Sequence, residues 1–216
     1  MTHLRLVEEP AEGPFREGPL PRRLPHGRHG IPRDIVHDHQ RLRLLTGMAN
    51  ALAKHGYAGV TTTNVSKCAG ISSGTYYKHF GNLWDCLLAA YVTTAERLCA
   101  AIEAGCAERD PETPPLRAGI EAALELCATE PASALLLTSQ PPIEAVAVST
   151  ARRRLIARLA TMLREAHDPA QPPSRPPGLD ERMIDAALAF VGARVTAGQA
   201  AHLPALAPEL ATILTP

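Results

Sequence analysis

Between positions 61 and 80 the sequence gathers side chains that hydrogen-bond without bulk. Thr61, Thr62, Ser72, Ser73 and Thr75 carry hydroxyls, and Tyr77, Lys78 and His79 follow with a phenol, an ammonium and an imidazole. Short hydroxyls can meet base edges or phosphate oxygens, and the three larger groups can grip a sugar-phosphate backbone. Gly74 carries no side chain to hold a groove away. These are groups for contact. Nowhere does the chain show a phosphate-cradling glycine loop, an HExxH pair or zinc-type Cys/His spacing. His37 and His39 lie two apart, on different faces of a helix, so they cannot share a metal there.

Helices must position these groups. Thr61 is suited to cap a short helix over about 62–68, because its hydroxyl can accept from a free backbone N–H of the first turn. Ala69-Gly70 ends that helix, with Gly70 supplying the positive φ of a sharp turn. Ile71 turns back to the core and Ser72 caps a second helix from Ser73 to about His79. Tyr76, packed with Phe80, is its buried anchor. Two short helices joined by a tight glycine turn make a helix-turn-helix. A longer helix precedes them, starting after Pro32. Ile35, Leu42, Leu45, Ala49 and Leu52 recur at helical spacing as its buried stripe, and Gly56 supplies its stop.

Charge points the same way. The net charge of the chain is zero, but residues 31–80 hold six Lys/Arg against two Asp, whereas residues 81–216 hold eleven basic and sixteen acidic groups. All three lysines, Lys54, Lys67 and Lys78, lie in the basic stretch. A basic subdomain on an otherwise acidic chain is the footprint of a nucleic-acid binder.

These residues resemble the TetR family of one-component regulators. The family reads as a helix ending in Gly-Tyr, then Thr-Thr, a short helix, Ala-Gly-(Val/Ile)-Ser, Gly-Thr-Leu/Tyr-Tyr, and a Phe three residues later. Here these are Gly56-Tyr57, Thr61-Thr62, Ala69-Gly70-Ile71-Ser72, Gly74-Thr75-Tyr76-Tyr77 and Phe80, and the match runs from about 33 to 91 without a gap. Asp85 to Tyr91 also resembles the start of the family's fourth helix. The resemblance implies contact with a double-stranded DNA operator through Thr61, Thr62, Ser72, Ser73, Gly74, Thr75, Tyr77, Lys78 and His79. It also marks departures. Leu83-Trp84 stand where the family commonly has Lys-Glu, which removes one phosphate contact and about 1 from the salt slope. Thr62 and Ser66 replace commoner apolar or alanine residues.

The organisation expected is all-α. Residues 1–32, with six prolines and four glycines, read as a disordered tail whose basic end (Arg22 to Gly30) could reach DNA. Residues 33–82 form a three-helix DNA-binding domain. Residues 83–216 form a helical effector-binding and dimerisation domain, with helices near 83–107, 115–129, 132–139, 143–167, 180–200 and 205–214. Five prolines within 169–177 suggest a stiff, exposed loop. Arg152-Arg153-Arg154 reads as a solvated helix face, with a second DNA contact as the alternative.

The resemblance further implies that the long helix after the DNA-binding domain and the next three surround a cavity for a small-molecule effector. Candidate lining residues are Leu98, Cys99, Ile102, Leu124, Cys127, Leu137, Met162 and Phe190. Few aromatics and no charge cluster favour an apolar or weakly polar effector. The last two helices are implied to pair with those of a second chain, making a homodimer through Ala186, Ala189, Phe190, Ala193, Leu206 and Leu210. Residues 183–197 are apolar on most sides, and Ala189, Gly192 and Ala193 would let helices approach closely.

Five cysteines, an odd number with no CxxC pair, read as reduced buried thiols. No run of about 18 apolar residues is present, so no membrane span is indicated. The acids in the first 18 residues do not suit a signal peptide, and a cytoplasmic location is expected. No cofactor or metal is called for. The overall expectation is a DNA-binding transcriptional repressor, released from a palindromic operator by its effector. A helical protein–protein adaptor and an enzyme with scattered catalytic groups are the alternatives.

Overall fold

A computed structural model describes residues 33–166 and 176–214. Within them every regular element is helical. The expected tail and most of the proline-rich 169–177 stretch lie outside the described residues.

Helix α1 (Arg33–Gly59) kinks at Gly56, whose backbone leaves the helical region, and its last residues run on beyond the expected stop. Its buried stripe begins later than the spacing suggests. Leu44, Leu45, Met48, Ala49, Ala51 and Leu52 are buried, whereas Ile35 is 54% exposed. The correction has a simple cause. The neighbouring helices are short and reach along α1 only as far as His37 and Gln40, both of which meet His79, so Ile35 projects beyond the packed cluster. Helices α2 (Thr62–Ala69) and α3 (Ser73–His79) follow.

Helix α4 (Leu83–Glu108) is the spine of the C-terminal region, capped by Asn82, whose side chain accepts from the Asp85 N–H. Prolines then set the helix starts. Pro115 opens α5 (Pro115–Thr129) and Pro131 opens α6 (Pro131–Thr138), at first-turn positions where a missing N–H costs nothing. Helix α7 covers Val146–Glu165, three residues shorter at its start than expected, and Ile143 ahead of it is 87% exposed. Helix α8 (Leu179–Thr196) stops before Gly198. Two single 3-10 turns lead to α9 (Ala207–Leu214).

One apolar core runs without interruption from α1–α3 into the C-terminal helices, joining Leu44, Val65 and Tyr76 to Tyr91, Leu136, Val148 and Ile184. A smaller cluster around Leu124, Val191, Leu203 and Leu210 closes the far end. Gly192 lets α8 cross α6 at close range: a Cβ there would sit 2.6 Å from Thr138 Oγ1 and 2.9 Å from its Cβ. Its smallness therefore serves packing inside the chain.

The arginine triplet needs correction. Arg153 and Arg154 are exposed, but Arg152 is only 7% exposed and its Nη2 donates to Asp185 Oδ1 at 2.5 Å. A second α7–α8 bridge joins Arg164 to Asp180 at 3.1 Å. The Arg97 guanidinium meets the Glu130 carboxylate across α4 and the α5–α6 junction, with Ser133 also donating to Glu130.

Candidate nucleic-acid interface and interior cavity

Helix α2 starts at Thr61, whose Oγ1 accepts from the Asn64 N–H at 3.2 Å. It ends at Gly70, with φ of 62°, and the N–H of Ile71 donates to the Ser66 carbonyl at 2.9 Å. A side chain at Gly70 would be strained by that φ and would also place its Cβ 2.7 Å from Arg43 Nη2. Arg43 locks the turn from α1. Its Nε and Nη2 donate to the Ala69 carbonyl at 3.0 and 2.6 Å, and Nη2 donates to the Gly70 carbonyl at 3.0 Å. Carbonyls at a helix C-terminus carry partial negative charge, so a guanidinium fork suits them.

Helix α3 is capped by Ser72, whose Oγ accepts from the Thr75 N–H at 3.2 Å and lies 3.0 Å from Thr75 Oγ1. Tyr76 anchors it from beneath. Its ring is fully buried 6.0 Å from that of Phe80, and its hydroxyl donates to the Asn82 carbonyl at 3.0 Å. Burial holds that phenol far above its ordinary range and keeps it a neutral donor. With Tyr76 inward, the opposite face of α3 turns to solvent.

That face carries most of the expected contacts. Thr61, Ser72, Ser73, Gly74, Tyr77 and Lys78 are exposed, and Thr62 and Thr75 are half-buried. Tyr77 Oη lies 3.4 Å from Thr62 Oγ1, linking the outer face of α3 to the start of α2. His79 sits differently. It is half-buried, its ring centroid lies 4.3 Å from that of His37, and its Nε2 is 3.2 Å from Gln40 Oε1. Burial, then the nearby His37 and Arg41, lower its pKa from the ordinary histidine value. His79 therefore braces α3 against α1. Arg41 stacks over Phe80 at 4.7 Å. The bracing residues Gln40, Arg41 and Arg43 escape the sequence pattern, since their partners lie 26 to 39 residues away and no local spacing links them.

Leu83 is half-buried against the core and Trp84 is 38% exposed at the start of α4. Ser66 is buried with an unpaired hydroxyl. Nothing in the structure explains that substitution.

The C-terminal helices enclose a cavity of about 490 Å³ between α4, α5, α7, α8 and α9. Leu98, Ile102, Leu124, Cys127 and Met162 line it, as does Leu210. Cys99 and Leu137 lie in the core outside it, and Phe190 is on the outer surface of α8, its ring beneath the Arg194 guanidinium at 5.0 Å. Walls that the sequence reading missed include Ile120, Ala123, Leu159, Ile184 and Leu188. The signal was there on α5, where 120, 123, 124 and 127 repeat at one-face helical spacing. Burial pushes the Cys127 thiol up to about 11, with Glu130 adding to the effect, so it is a neutral wall atom. Among the described lining residues, charge enters only at Glu103 and Glu165, and Glu103 accepts from Arg158 at 2.8 Å.

Residues 44–90 match the family model for bacterial regulatory proteins of the tetR family. Residues 44–90 thus carry the helix-turn-helix DNA-binding region of tetR-family transcription regulators. The matched residues span α1 from Leu44 to the first turns of α4, the same elements that build the exposed α3 face.

Solved structures share the whole fold. The fatty acid degradation regulator FadR from Bacillus halodurans superposes with a TM-score of 0.67 at 17% identity, covering 81% of this chain and 94% of that one. FadR from Bacillus subtilis, solved with stearoyl-CoA, gives 0.66 at 18% identity over 80% and 96%. A TetR-like regulator from Rhodococcus sp. RHA1 gives 0.57 at 20% identity over 84% and 96%. No curated protein sequence matches the chain significantly.

Against the TetR pattern, the residues expected at a dimer interface divide. Ala186, Ala189, Phe190 and Ala193 are exposed along one face of α8. Leu206 is half-buried and Leu210 is buried inside the chain. No helix is long and apolar enough to cross a membrane among the described residues.

Proposed function

We propose that this TetR-family chain is a dimeric repressor that grips a palindromic operator with two α3 helices and leaves it when an apolar effector fills the interior cavity. The observation that carries this reading is the division of α3 by Tyr76: one face is pinned in the core and the other presents Ser73, Gly74, Tyr77 and Lys78 to solvent. Such a helix can enter a major groove, and a dimer would place two of them about 34–36 Å apart. The contacts proposed are Thr61, Thr62, Ser72, Ser73, Gly74, Thr75, Tyr77 and Lys78, with His79 acting through position.

Ala186, Ala189, Phe190 and Ala193 recur at the spacing of one helix face and supply an apolar, small-residue surface for a second copy. The cavity walls are aliphatic apart from two thiols and two rim carboxylates, which suits a hydrocarbon-rich ligand. The complex of the Bacillus subtilis relative with stearoyl-CoA makes long-chain acyl-CoA the first ligand to try. An effector that binds the splayed dimer better than the DNA-competent one shifts the population and frees the operator.

Selection of bound sites from random duplexes tests DNA binding, symmetry and half-site spacing together. The expected result is a palindrome whose binding weakens steeply with salt. Salt-insensitive binding to protein alone would instead favour an adaptor. Stearoyl-CoA added to the complex is expected to weaken DNA binding, and if a panel of apolar ligands leaves it unchanged, the sensing half of the reading fails.

A further inference from the structure

Four polar side chains on four helices act on one another electrostatically where the DNA-reading region joins the C-terminal helices. Tyr57 lies at the end of α1, Tyr91 on α4, Arg152 on α7 and Asp185 on α8. Tyr91 is fully buried and Arg152 nearly so. Arg152 Nη2 is held by Asp185 Oδ1 at 2.5 Å. Three polar atoms here are buried and lack a protein hydrogen-bond partner: Tyr57 Oη, Tyr91 Oη and Arg152 Nε. The Arg152 charge acts on both phenols, and Tyr57 and Asp185 also act on Tyr91. Burial still dominates and pushes Tyr57 up to about 12, so both phenols stay neutral and keep their O–H donors.

Leaving a donor or acceptor bare in a protein interior costs about 1–3 kcal/mol each. Two phenols can each donate and accept, and the guanidinium N–H donates only. A single water makes about three hydrogen bonds and can satisfy such a set at once. We propose that Tyr57, Tyr91 and Arg152 enclose an ordered water, and that this hydrated cluster, anchored on Asp185, fixes the orientation of α1–α3 against α7 and α8.

The consequence for DNA binding rests on the dimeric-repressor reading. A dimer must present two reading heads at a preset separation, and loosening the joint between head and body spends binding free energy on restoring it. The Arg164–Asp180 pair supplies a control. It bridges the same two helices, but Arg164 stands twelve residues further along α7, about 18 Å away at 1.5 Å per residue.

The test uses the full chain carrying Tyr57→Phe, Asp185→Asn, both together, or Asp180→Asn. Affinity is measured on the duplex selected by the wild type, and stability by urea unfolding. Tyr57→Phe and Asp185→Asn are each expected to weaken DNA binding at least threefold. The double variant should be no weaker than the worse single, because both break one network. Asp180→Asn should stay within twofold of wild type. Independent, multiplying losses in the double variant would overturn the proposal, as would an Asp180→Asn loss equal to that of Asp185→Asn. If the wild type selects no duplex, the repressor reading fails by itself. The urea cycle then decides: at least threefold coupling in the unfolding constant between positions 57 and 185 supports the cluster, and additivity overturns it. A high-resolution crystal structure is expected to show the water within hydrogen-bond distance of all three atoms, and an empty site there would remove it.

Discussion

Arg43 on α1 and Ala69 at the end of α2 are joined by a two-pronged contact, Nε and Nη2 both donating to one carbonyl at 3.0 and 2.6 Å. The fork also reaches Gly70, so a single side chain fixes both residues of the turn between α2 and α3. Replacing Arg43 with Met keeps the aliphatic stem and removes the donors. Charged hydrogen bonds of this kind contribute about 1.5–3 kcal/mol, and partial exposure puts the expected loss near the lower end. Urea unfolding measures it. Arg43→Lys should recover only part, since an ammonium cannot reproduce the planar fork.

Lys78 and Tyr77 lie on the exposed face of α3, and it is Tyr77 that touches its neighbours, linking to Thr62 and meeting the Tyr76 ring edge-on at 5.3 Å. Lys78→Ala is therefore expected to leave stability within about 0.5 kcal/mol of wild type. In DNA titrations across a salt series it should lower affinity for all duplexes and reduce the salt slope by about 1. An unchanged slope would place Lys78 away from phosphate.

The local parts of this machine were legible in the sequence, and the reason is physical. Thr61, Gly70, Ser72 and Tyr76 find partners within six residues, through caps, a left-handed turn and a helical stripe, so spacing alone exposes them. What escaped depends on contacts between distant segments. Arg152 looked like one of three solvated arginines until Asp185 and the buried phenols came round it. His79 looked like a free backbone grip until α1 brought His37 and Gln40 against it. Gly192 looked like a surface for a second chain, and Thr138 of α6 already occupies that space. The cavity divided for the same cause: α5 shows its wall by periodicity, whereas Leu137 and Phe190 are placed by how α6 and α8 rotate on packing.

The packing at Gly192 gives a sharp stability test. A methyl there must displace Thr138, whose hydroxyl already donates to the Ala134 carbonyl at 2.8 Å. Overpacking of this kind costs about 1–3 kcal/mol. Gly192→Ala should lower stability by that amount in thermal or urea unfolding, and Thr138→Ala, which removes the hydroxyl oxygen 2.6 Å from the new methyl, should restore part of it.

His79 makes stability depend on pH. Its folded-state pKa is lowered, first by burial and then by His37 and Arg41, from an ordinary value of 6.5. In the window below 6.5 the unfolded chain therefore binds more protons at this site than the folded one. Stability is complete above 6.5 and is lost as pH falls through that window to the folded value. Wild type should lose more stability than His79→Gln between pH 7.5 and 5.5 by urea unfolding. Equal losses would show that other groups govern the acid limb.

Filling the cavity separates its role from that of the reading head. Ala123 lies on the wall from α5, facing Leu159, Ile184 and Leu188 across about 490 Å³ of space. Ala123→Phe adds apolar bulk into that space, where it can contact aliphatic walls and needs no hydrogen-bond partner. Burying new apolar area contributes about 25 cal/mol per Å², so the variant should be as stable as wild type or more so. The α3 surface is untouched and DNA affinity should stay within twofold. Response to stearoyl-CoA should vanish, read as an unchanged mobility shift at ligand concentrations that release the wild type. Release persisting in a stable Ala123→Phe protein would place the effector elsewhere than this cavity.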